Sequence, residues 1–230
     1  MANKPTLILL HGALGSSKSF EFLIPKLEKD FKLITPDFKW HGSRAEGGAG
    51  FKMQDLVDDL ESILTKDNIS NAAVFGFSMG GYVALALALQ KPDLFNRIMT
   101  LGTKLDWKAE QAKQEVKMLD PEKIQEKVPQ FAEHLKSQHA ENWSALCTQT
   151  AEMMLDLGSH PLLNTTNVNK LELPIRLGLG DQDHMVSLEE TNAFYKALQN
   201  GQMQVFPKTK HPIERVNADL LSEAILQFFK

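Results

Sequence analysis

The chain of 230 residues lacks several features that mark special classes of protein. Cys147 is its only cysteine, which excludes an internal disulfide and suits a reducing compartment. With no second cysteine and scattered histidines, a zinc site has little support, and we expect neither a metal nor a cofactor. No apolar run approaches the roughly 18 residues that a membrane-spanning helix needs. We therefore expect a cytoplasmic protein without a membrane partner.

Positive charge is also scarce. Lys and Arg number 25 against 29 Asp and Glu, which gives a formal net charge of −4. This balance gives no reason to expect a nucleic acid partner, and we expect a small-molecule substrate instead. The hydrophobic share of 43% and the absence of internal repeats are ordinary for a globular protein. The length fits a single domain over 1–230, acting as a monomer or homodimer.

Apolar runs of strand length alternate with segments of helical periodicity. This alternation predicts an α/β fold, with a mostly parallel sheet of about six strands and helices on both faces. The predicted strands are 6–10, 31–35, 72–75, 96–101, 173–179 and 202–206. The predicted helices between and after them are 18–29, with a kink at Pro25, and 52–66, 82–89, 187–198 and 215–229.

Between 104 and 170 the strand signals stop and amphipathic helical patterns take over. We expect helices over 107–118, 121–138 and 140–157, and a short one near Leu162. This segment is predicted to be a helical cap inserted into a core formed by 1–103 and 171–230. Most of its apolar side chains must pack against the sheet. The candidates for a substrate pocket, in the cap and the loops below it, are Leu14, Trp40, Trp107, Phe131, Trp143, Met153, Met154 and Met185.

The sequence Gly-Phe-Ser-Met-Gly, centred on Ser78, follows a strand pattern and precedes a helical one. A serine at the apex of such a turn is typical of a nucleophile elbow. Only small residues at Gly76 and Gly80 allow the strand and the helix to cross closely. The alternative is a plain glycine turn that contains a serine by chance. His11, Ser78 and Thr103 each follow a strand, so they should share the edge of the sheet where ligands bind.

These motifs resemble those of the α/β-hydrolase superfamily over nearly the full chain. The matching pieces are His-Gly-Ala-Leu-Gly-Ser from His11, the elbow, Gly-Asp-Gln-Asp from Gly180, and His211 with Glu214 three residues on. The resemblance implies a catalytic triad in the chain order serine, acid, histidine: Ser78, Asp183 and His211. Asp181 is the alternative acid, with a role in bonding loop amides as its other interpretation.

The resemblance also implies an oxyanion hole made by the backbone N–H groups of Ala13 and Met79. By the same resemblance His11 is a structural histidine that braces the oxyanion loop. We expect surface or packing roles for His134, His139 and His160, and a pocket or loop role for His184.

The chain departs from the family pattern at Trp40, Arg44 and Lys210. Trp40 replaces a glycine, which predicts a different backbone conformation there and a side chain that narrows the pocket or packs under the cap. Arg44 replaces a serine and either meets an anionic substrate group or faces solvent. Lys210 replaces a glycine before His211, and Pro212 follows it; both affect how that loop is held.

We expect a serine hydrolase that cleaves an ester or thioester of a small, apolar acyl substrate through an acyl-enzyme. Carbon–carbon hydrolase, acyltransferase or lyase chemistry with the same triad remains an alternative, because a fold does not determine a reaction. A ligand-sensing protein with residual turnover is an alternative from another class.

Overall fold

The fold is built on one parallel sheet. A computed structural model of the protein describes residues 4–45 and 50–230. Within these residues six strands form a single sheet, with β3 and β4 at its centre. The strands are β1 Thr6–Leu10, β2 Lys32–Ile34, β3 Ala72–Phe77, β4 Phe95–Leu101, β5 Ile175–Gly180 and β6 Gly201–Phe206. Their order across the sheet is β2-β1-β3-β4-β5-β6, and every neighbouring pair is parallel. The predicted α/β class and strand number are confirmed.

The strand order reverses between β1 and β3. The chain passes from β1 to β2 at one edge, then returns to β3 on the other side of β1. In parallel sheets the loops on either side of such a reversal diverge and leave a crevice at the carboxyl ends of the strands. The loop after β1 and the elbow after β3 border this crevice.

Helices cover both faces of the sheet, as predicted. The α-helices of the described residues are α1 Ile24–Leu27, α2 Met53–Lys66, α3 Met79–Gln90, α4 Ala109–Glu115, α5 Pro121–Lys127, α6 Pro129–His139, α7 Trp143–Ser159, α8 Leu188–Ala197 and α9 Ala218–Phe229. Side chains of α1 and α9 pack on one face of the sheet, in a cluster with Leu7 and Phe75. Those of α2, α3 and α8 pack on the other face, in a cluster with Ile8 and Val74.

Prolines divide two of the predicted helices. The 18–29 pattern forms a 3₁₀ helix, Ser17–Phe20, and the short α1, with Pro25 in the first turn of the latter. The pattern over 121–138 forms α5 and α6, because Pro129 lacks an N–H and begins a new helix. No helix of the described residues lies at Leu162, whose N–H donates to the Tyr82 hydroxyl. The next helical turn along the chain is the 3₁₀ helix Val168–Lys170.

The cap lies between β4 and β5 in the chain and consists of α4 to α7. Its buried side chains, among them Leu135, Leu146 and Cys147, belong to the same apolar cluster as Ile8 and Val74 of the sheet. At roughly 25 cal/mol per Å² of apolar surface removed from water, each such side chain adds about 1.5–3 kcal/mol to this packing. The cap is thus attached to the core by a continuous apolar interior.

Candidate active site

Ser78 occupies a strained turn between β3 and α3. Its φ of 49° and ψ of −118° lie in a region that residues with a Cβ rarely adopt. The N–H of Ser78 donates to the Leu101 carbonyl at 2.9 Å, and the Thr103 hydroxyl donates to the Ser78 carbonyl at 3.0 Å. These bonds from the neighbouring strand hold the serine in this conformation.

The elbow glycines allow α3 to begin close to both β3 and the end of β1. A Cβ on Gly76 would lie 2.5 Å from the Gly81 Cα, and a Cβ on Gly80 would clash with the Leu10 carbonyl oxygen. These contacts are shorter than any that real Cβ atoms make, and the obstructing atoms belong to the backbone. The predicted reason agrees with the geometry at Gly76, whereas Gly80 is required because α3 begins close to the end of β1.

Ser78, His211 and Asp183 form a continuous chain of hydrogen-bonding groups. The Ser78 Oγ lies 3.3 Å from His211 Nε2, and His211 Nδ1 lies 2.8 Å from Asp183 Oδ2. The carboxylate can only accept, so Nδ1 carries a proton, and in the neutral form of the imidazole Nε2 presents a lone pair to the hydroxyl. The side chains of Asp183 and His211 are 2% and 17% exposed, which keeps solvent from competing for these bonds. Sequence reasoning predicted all three residues.

Asp183 and Asp181 have separate partners. Asp183 Oδ1 accepts from the N–H groups of Met185 at 2.8 Å and Val186 at 3.1 Å, so both carboxylate oxygens are fixed. Asp181 faces the other way and accepts from the Thr209 N–H at 3.0 Å. The backbone N–H groups of Lys208 and Thr209 lower the pKa of Asp181. The structure thus brings Asp183, and not Asp181, to His211.

The predicted oxyanion donors border the same cavity as Ser78. Met79 is the first residue of α3, and N–H groups in the first turn of a helix have no partner within the helix. Ala13 lies in the loop after β1, and the ring of His11 connects this loop to Phe38. The His11 Nδ1–H donates to the Gly12 carbonyl at 2.8 Å, and Nε2 accepts from the Phe38 N–H at 3.1 Å. Burial lowers the pKa of His11 to about 4, so it is a neutral brace.

His11 belongs to a layer of three buried histidines. Its ring centroid lies 5.2 Å from that of His41, which lies 5.9 Å from that of His139 on α6. His139 Nδ1 accepts from the Gly42 N–H, and its Nε2–H donates to the Leu14 carbonyl, both at 2.9 Å. Burial lowers the pKa of His139. His139 therefore joins the cap to the oxyanion loop, a role that no sequence motif indicated.

A small cavity of about 30 Å³ lies against Ser78, enough for about two water molecules. Trp107, Met153 and Met154 border it, as predicted. Sequence reasoning missed Met53, Tyr82 and Lys104, which also border it. Met53 and Tyr82 are core positions of α2 and α3, and only the three-dimensional packing turns these particular faces towards the serine.

Five residues proposed for the pocket do not border this cavity. Leu14 turns its carbonyl to His139, and Trp40 stacks on Phe51 with ring centroids 4.7 Å apart. Phe131 is 41% exposed on the outside of α6, and Trp143 is buried within the cap. Met185 contributes its N–H to Asp183. Apolar character indicates burial but not which neighbour a side chain meets, so the sequence pattern does not separate these five residues from those that border this cavity.

Two departures from the family pattern have structural explanations. Trp40 has a φ of 68°, in the left-handed region that glycine adopts most easily. Stacking on Phe51 offsets the cost of placing a large residue there.

Arg44 donates two hydrogen bonds to Asp59, at 2.7 and 2.8 Å, and one to the Asp37 carbonyl. It therefore forms a structural ion pair and does not face the cavity. The glycine-rich segment 46–49, which follows Arg44 closely in the sequence, lies outside the residues that the structure describes.

Within 4–45 and 50–230 no three His, Cys, Asp or Glu side chains are arranged to hold a metal ion. Over the same ranges no helix is both long and apolar enough to cross a membrane. The arrangement places a hydroxyl beside an imidazole that a buried carboxylate orients.

Residues 5–178 match the sequence model of the alpha/beta hydrolase fold. The chain belongs to the α/β-hydrolase family. It is 38% identical to a magnesium-chelatase 30 kDa subunit from Rhodobacter capsulatus over 106 residues, which cover 46% of this chain and 37% of that protein. It is 29% identical to a human serine hydrolase-like protein over 103 residues, or 44% of this chain and 51% of that protein. The matches thus span between about a third and a half of these relatives.

Two solved structures share the fold across nearly the whole chain. NosK from Streptomyces actuosus superimposes with a TM-score of 0.85 at 19% identity, covering 99% of this chain and 98% of that one. A thermophilic esterase from Thermogutta terrifontis superimposes with a TM-score of 0.77 at 21% identity, covering 98% and 89%. At such identities the likeness establishes the fold alone. Family membership identifies the fold and leaves both the reaction and the substrate open.

Proposed function

We propose that this protein is a hydrolase, a serine esterase or thioesterase that works through an acyl-enzyme. The observation that carries the proposal is the hydrogen-bonded series Ser78–His211–Asp183 at the apex of the elbow. Strain at Ser78 and burial of Asp183 both have a cost, and proteins retain such costs mainly at functional sites. The relative named as serine hydrolase-like agrees with a nucleophilic serine.

In the proposed reaction the Ser78 Oγ attacks the ester carbonyl carbon while His211 Nε2 takes the hydroxyl proton. Asp183 keeps the imidazole in the tautomer with Nδ1 protonated and stabilises the imidazolium that forms. The N–H groups of Ala13 and Met79 would donate to the oxyanion, each contributing on the order of 3 kcal/mol to the transition state. His211 then returns the proton to the leaving alcohol or thiol. Water, activated by the same imidazole, releases the acid and regenerates Ser78.

The walls of the cavity support a short, apolar acyl group. Met53, Met153, Met154 and Trp107 line it, and its polar contribution comes chiefly from Ser78 and Lys104. Methionine side chains are flexible, so they can give way to an acyl chain a few carbons long. The esterase with the same fold is one precedent for ester substrates.

Replacement of the nucleophile tests the proposal. Wild type should hydrolyse p-nitrophenyl acetate and butyrate and should be labelled by a fluorophosphonate at Ser78. Ser78→Ala should not be labelled, and its ester turnover should be reduced by at least roughly 10⁴-fold. Ser144→Ala, a serine on α7 of the cap, is the matched control and should behave as wild type. Equal turnover by wild type and Ser78→Ala would show that the serine is not the nucleophile.

A further inference from the structure

Lys104 lies at a junction of three parts of the protein. It follows β4, and its Nζ is 3.6 Å from both Glu115 of the cap helix α4 and Glu190 of α8. The three side chains are only 13%, 17% and 8% exposed. An ion pair this well shielded from solvent keeps its geometry better than a surface pair does.

The ammonium of Lys104 also reaches the loop that carries Asp183. Its Nζ donates to the Met185 carbonyl at 3.2 Å. That carbonyl belongs to the same peptide group as the Val186 N–H, which donates to Asp183 Oδ1 at 3.1 Å. A single peptide unit therefore joins Lys104 to Asp183. Hydrogen bonds in series polarise one another, so the positive charge strengthens the bond to Asp183.

Glu190 fixes the position of the ammonium. Its Oε1 accepts from the Leu105 N–H at 3.0 Å, while its Oε2 forms a capping box with Ser187 at the start of α8. The loop after β4 is thus fixed twice: the Lys104 side chain bonds to the Met185 carbonyl, and the Leu105 N–H bonds to Glu190. Glu115 extends the junction to the cap.

We propose that Lys104 is a positioning residue: through the Met185–Val186 peptide it holds Asp183 in line with His211 and links that geometry to the cap. This inference rests on the proposed function, since it assigns a role in the same triad. Although Lys104 borders the cavity, the role proposed for it is exerted through Asp183 and not through contact with substrate.

The test compares Lys104→Met with Lys104→Arg, using kcat and KM for p-nitrophenyl butyrate. Lys104→Met removes the donor to Met185, and kcat should fall 10- to 100-fold while KM changes less than about twofold, because misplaced catalytic groups slow the chemical step. Arginine can donate to the same carbonyl and pair with both glutamates, and should recover most of kcat. Lys108→Met is the matched control, since that lysine lies on the same segment but is 66% exposed.

Lys104→Met also leaves two shielded carboxylates without a cation, which could unfold the protein. The double variant Lys104→Met, Glu115→Gln restores the local charge of −1 while the donor to Met185 remains absent. It should fold and should still show the loss in kcat. A wild-type kcat in the double variant, a loss confined to KM, or no recovery with arginine would each overturn the proposal.

A spectroscopic measurement separates this inference from the proposed function. The proton between His211 Nδ1 and Asp183 should give a sharp downfield ¹H NMR resonance in wild type, which broadens or shifts in both methionine variants. Absence of ester turnover in wild type would refute the proposed function, and the NMR comparison would still decide the role of Lys104. An unchanged resonance in the folded double variant would refute the positioning role.

Discussion

The buried histidine layer makes a quantitative prediction about stability in mild acid. Burial lowers the pKa of His11 to about 4, and burial together with His11 lowers the pKa of His41 well below its usual 6.5. In the unfolded chain both should titrate near 6.5. The unfolded state therefore binds protons first as the pH falls. The stability that depends on these two neutral histidines is fully present above about pH 6.5. It is lost progressively as the pH falls from there to the folded-state pKa values.

The size of the effect follows from linkage. A histidine with an unfolded pKa of about 6.5 that stays neutral in the folded state lowers the free energy of unfolding by about 2 kcal/mol between pH 7 and pH 5. His11 and His41 together give about 4 kcal/mol, a large share of the roughly 5–15 kcal/mol that domains possess. Although burial alone would raise it, hydrogen bonds from Ser17 and Ser43 lower the pKa of Asp37 to about 2. Asp37 therefore stays charged throughout this range and adds little to the change.

Urea unfolding at pH 7, 6 and 5, for wild type and His41→Phe, measures this effect. Among the described residues the buried Nε2 of His41 has no hydrogen-bond partner, so phenylalanine gives up only the Nδ1–H bond to the Lys39 carbonyl. The fall in unfolding free energy from pH 7 to pH 5 should be about 2 kcal/mol smaller in His41→Phe than in wild type. His160→Gln, at a side chain that is 76% exposed, should keep the wild-type fall. Equal falls in wild type and His41→Phe would refute the reasoning.

Three further predictions concern the site and its supports. Asp183→Asn should lower kcat by about 10⁴-fold because it no longer fixes the protonated Nδ1, whereas Asp181→Asn should stay within a few-fold of wild type; equal losses would contradict the assignment. Gly80→Ala should cost about 3 kcal/mol or prevent folding, because its Cβ meets backbone oxygens of Leu10 and His11, and a wild-type melting temperature would exclude that clash. Tyr82→Phe should cost about 2–4 kcal/mol in urea unfolding, since the Leu162 and Leu163 N–H groups both donate to its hydroxyl at 3.0 Å; a change below about 0.5 kcal/mol would show that water replaces it.

The sheet and the residues at its edge were predictable because each depends on short-range information. A buried parallel strand is a continuous apolar run, and a side chain just after it must lie at the carboxyl edge of the sheet. Ser78, Asp183 and His211 all follow strands, so the topology brings them together once the strand order is correct. The glycines at 76 and 80 could be explained in advance because a missing Cβ has one obvious use, a close backbone crossing.

The cap was less predictable for a physical reason. Amphipathic periodicity indicates which face of a helix is apolar but not which neighbour that face meets. Trp143 and Met153 both lie on α7, yet only Met153 borders the cavity. His139 gave no signal because its two partners, the Gly42 N–H and the Leu14 carbonyl, are backbone groups about 100 residues away in the chain. Backbone partners leave no trace in residue identity.

The contacts of His139 and Lys104 imply that the cap and the reactive groups are coupled. His139 of α6 holds the carbonyl of Leu14, next to the proposed oxyanion donor Ala13. Glu115 of α4 pairs with Lys104, which holds the peptide that fixes Asp183. A movement of the cap that admits a larger acyl group must therefore break shielded polar contacts to both the oxyanion loop and the acid loop. Since unpaired buried polar groups are costly, a substrate that forces the cap open should lose catalytic rate as well as binding. We therefore expect the cap to select substrates through kcat, and a series of acyl chain lengths should show kcat falling once the chain exceeds the cavity beside Ser78.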